Sequence, residues 1–268
     1  MNNVLLGKYY PIDSIIHKLD ARVKIIATCI FLIGLFITRN LMILPIYLVF
    51  IIIIAILAKV KVKSLISSLK PLRFLMLFMI FFNLFFYKNG TIVFEFKFIE
   101  IYDEAIYRTV FFLTRIIIMV LYSTMLTLTT APLELAAAIE ALLKPLKRFK
   151  FPAHEIGMMI SIALRFIPTL FEEMNKIMNA QASRGIDFKN GKIKEKIRGI
   201  ISLLIPLFVN SLKRADDLAN AMEVRGYVGG EGRTDLHDKK FELMEFCYLC
   251  IHVIIVIVAL VIELGGIL

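Results

Sequence analysis

The feature that most constrains this chain is a series of apolar runs separated by charged or turn-forming residues. Of its 268 residues, 59% are hydrophobic, whereas a soluble domain has about 45–50% apolar residues. A helix of about 17–25 apolar residues is long enough to cross a bilayer. Such runs lie near residues 23–38, 41–58, 71–87, 105–130 and 241–264. The sequence therefore predicts an all-α polytopic membrane protein with about five transmembrane helices.

The runs divide the chain into three parts. Residues 1–130 are predicted to form an N-terminal membrane region with four spans, and residues 241–268 a C-terminal transmembrane helix. Between them, residues 131–240 read as three long amphipathic helices, near 131–145, 152–183 and 192–224. Their apolar portions are too short to span a bilayer, which favours helices that lie at the membrane interface or pack under a partner.

The distribution of charge predicts the orientation in the bilayer. The net charge of +10 is read as a preference for anionic lipid and the cytoplasm, not as a nucleic-acid surface. The segment 59–73 has five basic residues and no acidic one, whereas 88–104 has four acidic residues and two basic ones. We therefore expect the N-terminus, 59–73 and 131–240 in the cytoplasm, with 88–104 and the C-terminus outside.

Two of the amphipathic helices end in the same way. The stretch "NAQASRGID" covers residues 179–187, and "NAMEVRGYV" covers 220–228. One interpretation is helix capping, with Gly185 and Gly226 in left-handed turns and Arg184 and Arg225 facing the negative helix ends. The other is that each arginine binds an acidic pocket of another protein, since a guanidinium keeps its charge and can form two parallel hydrogen bonds to a carboxylate. The residues alone leave both open.

Two polar residues fall inside predicted spans. Arg115 lies within the fourth span, where a charge needs a partner or a function. Asn83 lies in the third span and is a candidate partner for Arg115, or a tie between two helices.

Neither the cysteines nor the histidines form a metal or cofactor pattern. Cys29, Cys247 and Cys250 fall in or beside apolar runs, and we expect buried thiols. His154 and His237 are expected to stand alone in polar loops. No metal, cofactor or catalytic residue is predicted.

Three stretches together resemble the transmembrane T component of the energy-coupling factor (ECF) transporters, the family that includes the cobalt-transport Q component. They are "YYPIDSIIHKLDARVKI", "ALRFIPTLFEEMNKIMNAQASRGID" and "RADDLANAMEVRGY". The resemblance covers nearly the whole chain, and the two Arg-Gly helix ends are its most specific part. It implies a subunit in the plasma membrane of a prokaryote.

The resemblance also implies partners and contact residues. In that family the helix ends carry Ala-Arg-Gly, and the two arginines dock into a pair of ABC-type ATPases. By position these are Arg184 and Arg225, although Ser183 and Val224 stand where the family has alanine. The apolar faces would contact a separate substrate-binding membrane subunit. The candidate residues for that contact are Met158, Met159, Ile162, Leu203, Leu204, Leu207 and Phe208.

The resemblance implies a coupling subunit that has no substrate site of its own. Such a subunit would couple ATP hydrolysis by its partners to the uptake of vitamins or transition-metal ions. The chain contains no G-x-x-x-x-G-K-[ST] phosphate loop, so we expect no ATPase activity by that route. A self-contained secondary transporter would need paired inverted halves and several charges at the middle of the bilayer. A membrane enzyme would need converging acid, His or Cys side chains. Both alternatives fit the sequence less well.

Overall fold

The computed structural model describes residues 9–96, 99–144, 152–186, 188, 193–229 and 242–265. The chain divides into two compact units. The membrane unit comprises residues 7–138 and 239–268, and the hairpin unit comprises 139–238 with 1–6. Described helices are α1 Ile15–Lys18, α2 Ala21–Ile37, α3 Leu44–Leu57, α4 Val62–Leu69, α5 Arg73–Phe86, α6 Asp103–Thr129, α7 Pro132–Leu143, α8 Ala153–Ser183, α9 Ile193–Val224 and α10 Leu243–Leu264. The strands are β1 Ile92–Phe96 and β2 Ile99–Tyr102.

The helical architecture confirms the predicted all-α membrane fold, and most helix ends lie within a few residues of the predicted ones. By length and composition alone, four described helices are long and apolar enough to cross a membrane: 62–86, 103–129, 154–183 and 243–264. Our count of five included α2 and α3, which have only 17 and 14 residues. It excluded α8, which meets the criterion.

The basic segment 59–73 is mostly helical. α4 begins at Val62, buries Leu65 and runs through a 3-10 turn at Lys70–Leu72 into α5. Pro71 does not break this path because it lies at the start of that turn, where a backbone N–H has no helical partner to lose. The structure therefore joins α4 and α5 into one long helical segment.

Aromatic side chains fill the core of the membrane unit, where α2, α3, α6 and α10 meet. The ring of Phe31 stacks on Tyr122 with centroids 3.9 Å apart, and the ring of Tyr47 meets it edge-on at 5.2 Å. The Tyr122 hydroxyl is hydrogen-bonded to the Nε2 atom of the fully buried His252. Tyrosine and histidine fit this core because each polar atom finds a partner there.

Glycine permits the close approach of α2 to α10. A Cβ atom at Gly34 would lie 2.6 and 2.7 Å from the two methyl groups of Val256 and 3.2 Å from the Tyr47 hydroxyl. Small residues commonly line such helix crossings in membranes.

A buried ammonium group ties the N-terminal segment to the end of α6. Lys24 is 2% exposed, and its Nζ donates to the His17 carbonyl at 3.2 Å and the Thr129 carbonyl at 3.0 Å. Burial and the charge of Lys24 lower the pKa of His17 below its ordinary value. Nearby, the backbone N–H of Asp20 donates to Glu245 Oε1 at 3.0 Å, which joins the start of α2 to α10.

After Asn89-Gly90 the chain forms a two-stranded antiparallel hairpin, in which Phe96 pairs with Ile99. Its open end is closed by Asp103, whose carboxylate accepts from the backbone N–H and the hydroxyl of Thr91 at 2.8 and 2.9 Å.

The cysteines depart from expectation. Cys29 and Cys247 are exposed, and Cys250 is half-buried, so the prediction of buried thiols is wrong for the first two. The reason is that an apolar side chain on a membrane helix is equally stable against lipid, so it needs no protein core.

Candidate functional site: the two arginine-tipped helix ends

α8 and α9 form an antiparallel hairpin held by polar contacts along its length. Near the end of α8, Gln181 Nε2 donates to the Ser202 carbonyl at 3.5 Å. Two turns earlier, Glu173 accepts from Asn210 Nδ2 at 2.7 Å and from Arg214 Nη2 at 3.1 Å. Earlier positions on α8 thus meet later positions on α9, which defines the antiparallel pairing.

The Arg-Gly end of α8 is a complete Schellman motif. Gly185 N donates to the Ala182 carbonyl at 3.0 Å, and Ile186 N donates to the Gln181 carbonyl at 3.2 Å. Gly185 has φ +88°, a left-handed conformation that glycine adopts without a steric penalty. Arg184 is therefore the C-cap residue.

The Arg-Gly end of α9 repeats this geometry. Gly226 N donates to the Glu223 carbonyl at 2.9 Å, and Tyr227 N donates to the Met222 carbonyl at 3.0 Å. Gly226 has φ +74°. Capping thus explains both glycines, and Arg225 occupies the same C-cap position at its helix end as Arg184 does on α8.

Capping does not use the arginine side chains. Both residues are exposed, and within the described part of the chain neither guanidinium has a hydrogen bond or an ion pair. The preceding residues differ: Ser183 Oγ donates back to the Asn179 carbonyl at 3.1 Å, whereas Val224 is 88% exposed. The arginines are thus free to bind a partner.

The two arginines lie at opposite ends of the hairpin. From the Glu173–Asn210 contact, the chain continues in opposite directions to Arg184 and to Arg225. At about 1.5 Å rise per residue, the two C-caps are roughly 40 Å apart along the hairpin. A single globular pocket therefore could not bind both arginines.

The contact between α8 and α9 near Arg184 depends on a glycine. A Cβ atom at Gly199 would lie 3.0 Å from Ile186 Cγ2 and 3.2 Å from Phe188 Cε1. Because Gly199 has no side chain, the residues that follow Arg184 pack directly on α9. Gly199 was not among the predicted site residues, because nothing in the neighbouring sequence indicates that the turn after α8 packs against it.

The predicted contact residues for a substrate-binding subunit form two separate patches. Met159 is 58% exposed, while Met158 and Ile162 are half-buried; all three lie on the Arg225 side of the Glu173–Asn210 contact. The α9 residues Leu203, Leu204, Leu207 and Phe208 lie on the Arg184 side, with Leu204 and Phe208 being 52% and 65% exposed. The predicted contact set left out three exposed residues of the same apolar run, Ile200, Ile201 and Ile205.

His154 is not alone, contrary to expectation. It lies in the first turn of α8, and its Nδ1 is 2.8 Å from Glu140 Oε1 of α7. Gly157, one turn on, leaves the space that the Glu140 side chain occupies. His237 lies outside the described residues.

Arg115 has a partner that the sequence did not suggest. Its Nη2 donates to the Thr38 carbonyl at the end of α2, and its guanidinium lies over the Phe111 ring at 4.4 Å. Asn83 donates instead to the Met79 carbonyl of its own helix at 3.1 Å. At about 1.5 Å per residue, Arg115 is roughly 18 Å from the start of α6 at Asp103.

Other side chains complete the turn between α2 and α3. Arg39 N donates to Glu263 Oε1 of α10 at 2.8 Å, and Leu41 N donates to the Tyr107 hydroxyl of α6 at 3.1 Å. Asn40 caps the following turn through Met42 N at 3.0 Å. A bilayer offers no water to satisfy backbone groups, so these contacts satisfy backbone groups of the turn between the two short helices α2 and α3. Arg115 thereby connects α6 to the end of α2.

No group of three or more His, Cys, Asp or Glu side chains that could hold a metal ion occurs within the described ranges.

Comparison with known proteins assigns the family. Residues 13–236 match the model of the CbiQ family, described as cobalt transport protein. The chain is 42% identical over 255 residues to the energy-coupling factor transporter transmembrane protein EcfT of Streptococcus equi, which covers 95% of each chain. The EcfT proteins of Bacillus subtilis and Clostridium kluyveri are 42% and 39% identical, over 87% and 96% of this chain and 88% and 96% of their own. This chain belongs to the CbiQ family of transporter transmembrane components, as the sequence motifs predicted.

Proposed function

We propose that this chain is the energy-coupling subunit of an ECF-type importer, in which Arg184 and Arg225 each bind one of two ABC-type ATPase subunits. The observation that carries the proposal is the pair of equivalent, exposed C-cap arginines at opposite ends of one antiparallel hairpin. A guanidinium on a capped helix end is a rigidly placed, permanently charged group, which suits a carboxylate-lined groove.

The hairpin transmits force in this proposal. When ATP closes the two ATPases on each other, the tips that they hold approach or rotate, and the hairpin moves as a lever. The Glu173 contacts keep α8 and α9 together during that movement. The exposed apolar patches around Met159 and around Leu204 and Phe208 then shift a separate substrate-binding membrane subunit.

This role leaves the choice of cargo, a vitamin or a transition-metal ion, to the substrate-binding subunit. The relatives' names mention energy coupling, and the family description mentions cobalt transport. We place the chain in a prokaryotic plasma membrane with its N-terminus and the hairpin in the cytoplasm and its C-terminus outside. The five basic residues of 59–73 support that orientation.

Charge reversal at the tips tests the proposal. The chain is co-expressed with its candidate ATPase pair, and wild type is compared with Arg184→Glu, Arg225→Glu and the double variant in a detergent pull-down. Reversal replaces an ion pair with repulsion, and breaking a buried pair costs about 3–5 kcal/mol, or over a hundredfold in affinity. We expect each single variant to weaken ATPase retention and the double variant to abolish it.

Arg165→Glu and Lys213→Glu are matched controls, because both basic residues are exposed on the same two helices but away from the tips. They should retain the ATPases. The opposite result would be a double variant that retains both ATPases and elutes normally in size-exclusion chromatography. That result would show that the Arg-Gly ends act only as helix caps.

A further inference from the structure

A cavity of about 820 Å³ opens in the membrane unit between the N-terminal segment, the end of α3 and the start of α10. Pockets for small organic groups commonly have about 300–1,000 Å³. The lining combines charged residues with large apolar side chains. A ligand that fills it therefore needs both a polar and an apolar part.

Two lysines provide positive charge in this cavity. Lys18, at the end of α1, and Lys59, just after α3, both line it. Within the described part of the chain, neither ammonium group has a hydrogen bond or an ion pair. Both remain available to an anionic group in the cavity.

Lys59 occupies a position where glycine is normally found. Lys59 N donates to the Ile56 carbonyl at 3.0 Å, and Val60 N donates to the Ala55 carbonyl at 3.1 Å. This is the Schellman pattern of Gly185 and Gly226, but Lys59 adopts it with φ +54°, the one positive φ among the described non-glycine residues. A lysine in this strained conformation indicates that its side chain has a use.

The carboxylates of the cavity are largely engaged elsewhere. Glu245 accepts from Asp20 N and from Glu242 N, both at 3.0 Å, and the Glu242 side chain accepts the Glu245 backbone N–H in a capping box. Asp13 has no such backbone partner in the described residues and can accept a hydrogen bond from a hydroxyl or ammonium group. The cavity thus offers two ammonium groups without a partner among the described residues and Asp13 as an acceptor, beside two carboxylates that already hold backbone N–H groups.

The apolar wall of the cavity continues onto the surface of the protein. Ile15, Ile56, Leu57 and Met244 line it and are 55%, 70%, 47% and 51% exposed. Ile56 and Leu57 belong to the strongly apolar helix α3, so this wall is suited to contact with lipid. Acyl chains can follow it out of the cavity.

We propose that this cavity binds a membrane phospholipid, with the phosphodiester between Lys18 and Lys59. Asp13 accepts a hydrogen bond from the headgroup hydroxyl or ammonium group, and the acyl chains lie along Ile15, Ile56 and Met244. A bound lipid would hold the N-terminal segment against α3 and α10.

Native mass spectrometry of the full chain in detergent, titrated with phosphatidylglycerol, tests the proposal. The informative variant is Lys18→Ala with Lys59→Gly, since glycine removes the ammonium group and relieves the positive φ, so the fold is not at risk. Each basic side chain near an anionic membrane surface strengthens binding several-fold, so we expect the tightest lipid adduct to weaken roughly 10- to 30-fold. Lys63→Ala is the matched control, since Lys63 is exposed and outside the cavity.

Equal lipid retention by wild type and the double variant would overturn the proposal. So would saturable binding of inorganic phosphate at the concentrations where the lipid saturates, since the site would then recognise a soluble anion. Retention by Lys63→Ala together with loss in the double variant would support it.

Discussion

Two cationic side chains of the membrane unit and two of the hairpin unit are placed in opposite ways. In the membrane unit, Lys24 and Arg115 turn inward and donate to backbone carbonyls of distant segments. In the hairpin unit, Arg184 and Arg225 turn outward from helix ends that are already fully capped. An inward cation replaces missing water and holds the fold together, whereas an outward one contributes little to stability and remains free for a partner.

This difference separates two kinds of variant. Removing an inward cation leaves carbonyl groups without a donor, so folding should suffer. Changing a tip arginine should alter partner binding and leave folding intact. Stability measurements therefore test the inward cations of the membrane unit, and ATPase-binding measurements test the outward arginines of the hairpin unit.

The largest effect is expected for Lys24→Met, which keeps the length of the side chain and removes its charge. The His17 and Thr129 carbonyls would lose a charged donor. We expect a loss of about 3–5 kcal/mol, since a hydrogen bond to a charged group is worth about 1.5–3 kcal/mol. Thermal unfolding in detergent should show a Tm lower by roughly 6–15 °C.

Lys63→Met is the control for this experiment, because Lys63 is exposed in the same unit. Its Tm should match that of wild type. An unchanged Tm for Lys24→Met would mean that the N-terminal segment is not held to α6 by this contact.

A smaller effect is expected for Arg115→Met. One charged hydrogen bond to the Thr38 carbonyl is lost inside the membrane unit, which should cost about 1.5–3 kcal/mol. Arg108→Met on the same helix is the control, because Arg108 is exposed and pairs only with the half-buried Glu104 among the described acids. Thermal unfolding of the two variants should therefore differ. Equal Tm values would contradict a structural role for Arg115.

Several features were predictable from the sequence because local rules set them. Apolar runs and their flanking residues gave helix ends close to those of α6, α8, α9 and α10. Arg-Gly predicted a left-handed turn at each tip, since glycine at this position closes a helix by itself. The exposed arginines followed from the family resemblance, although the residues alone left the capping interpretation open.

Other features depend on distant parts of the chain, so no local rule could give them. The partner of Arg115 is a backbone carbonyl 77 positions away, and any residue type could supply it. Gly34 is needed only because Val256 of α10 packs against it. The separation of the two tips likewise follows from the antiparallel register of α8 and α9, which Glu173 and Asn210 set through tertiary contact.

The smallest effect is expected within the hairpin, for Glu173→Ala. This carboxylate accepts from Asn210 and Arg214, but the side chains of Glu173 and Arg214 remain 20% and 34% exposed. Water can replace part of what is lost, so we expect a cost of about 1 kcal/mol. Glu172→Ala is the matched control, because Glu172 is exposed on the same helix.

Amide hydrogen exchange of α8 and α9 provides the sharpest measurement for this variant, because it reports opening of the hairpin separately from the membrane unit. Glu173→Ala should speed exchange in both helices by roughly fivefold, the equivalent of about 1 kcal/mol, and leave α6 and α10 unchanged. The tips should still bind the ATPases, but coupling should weaken, since a looser hairpin transmits less of the movement. Faster exchange spread equally over both units would show that the hairpin is not an independent lever, and the contrast between the two units would then fail.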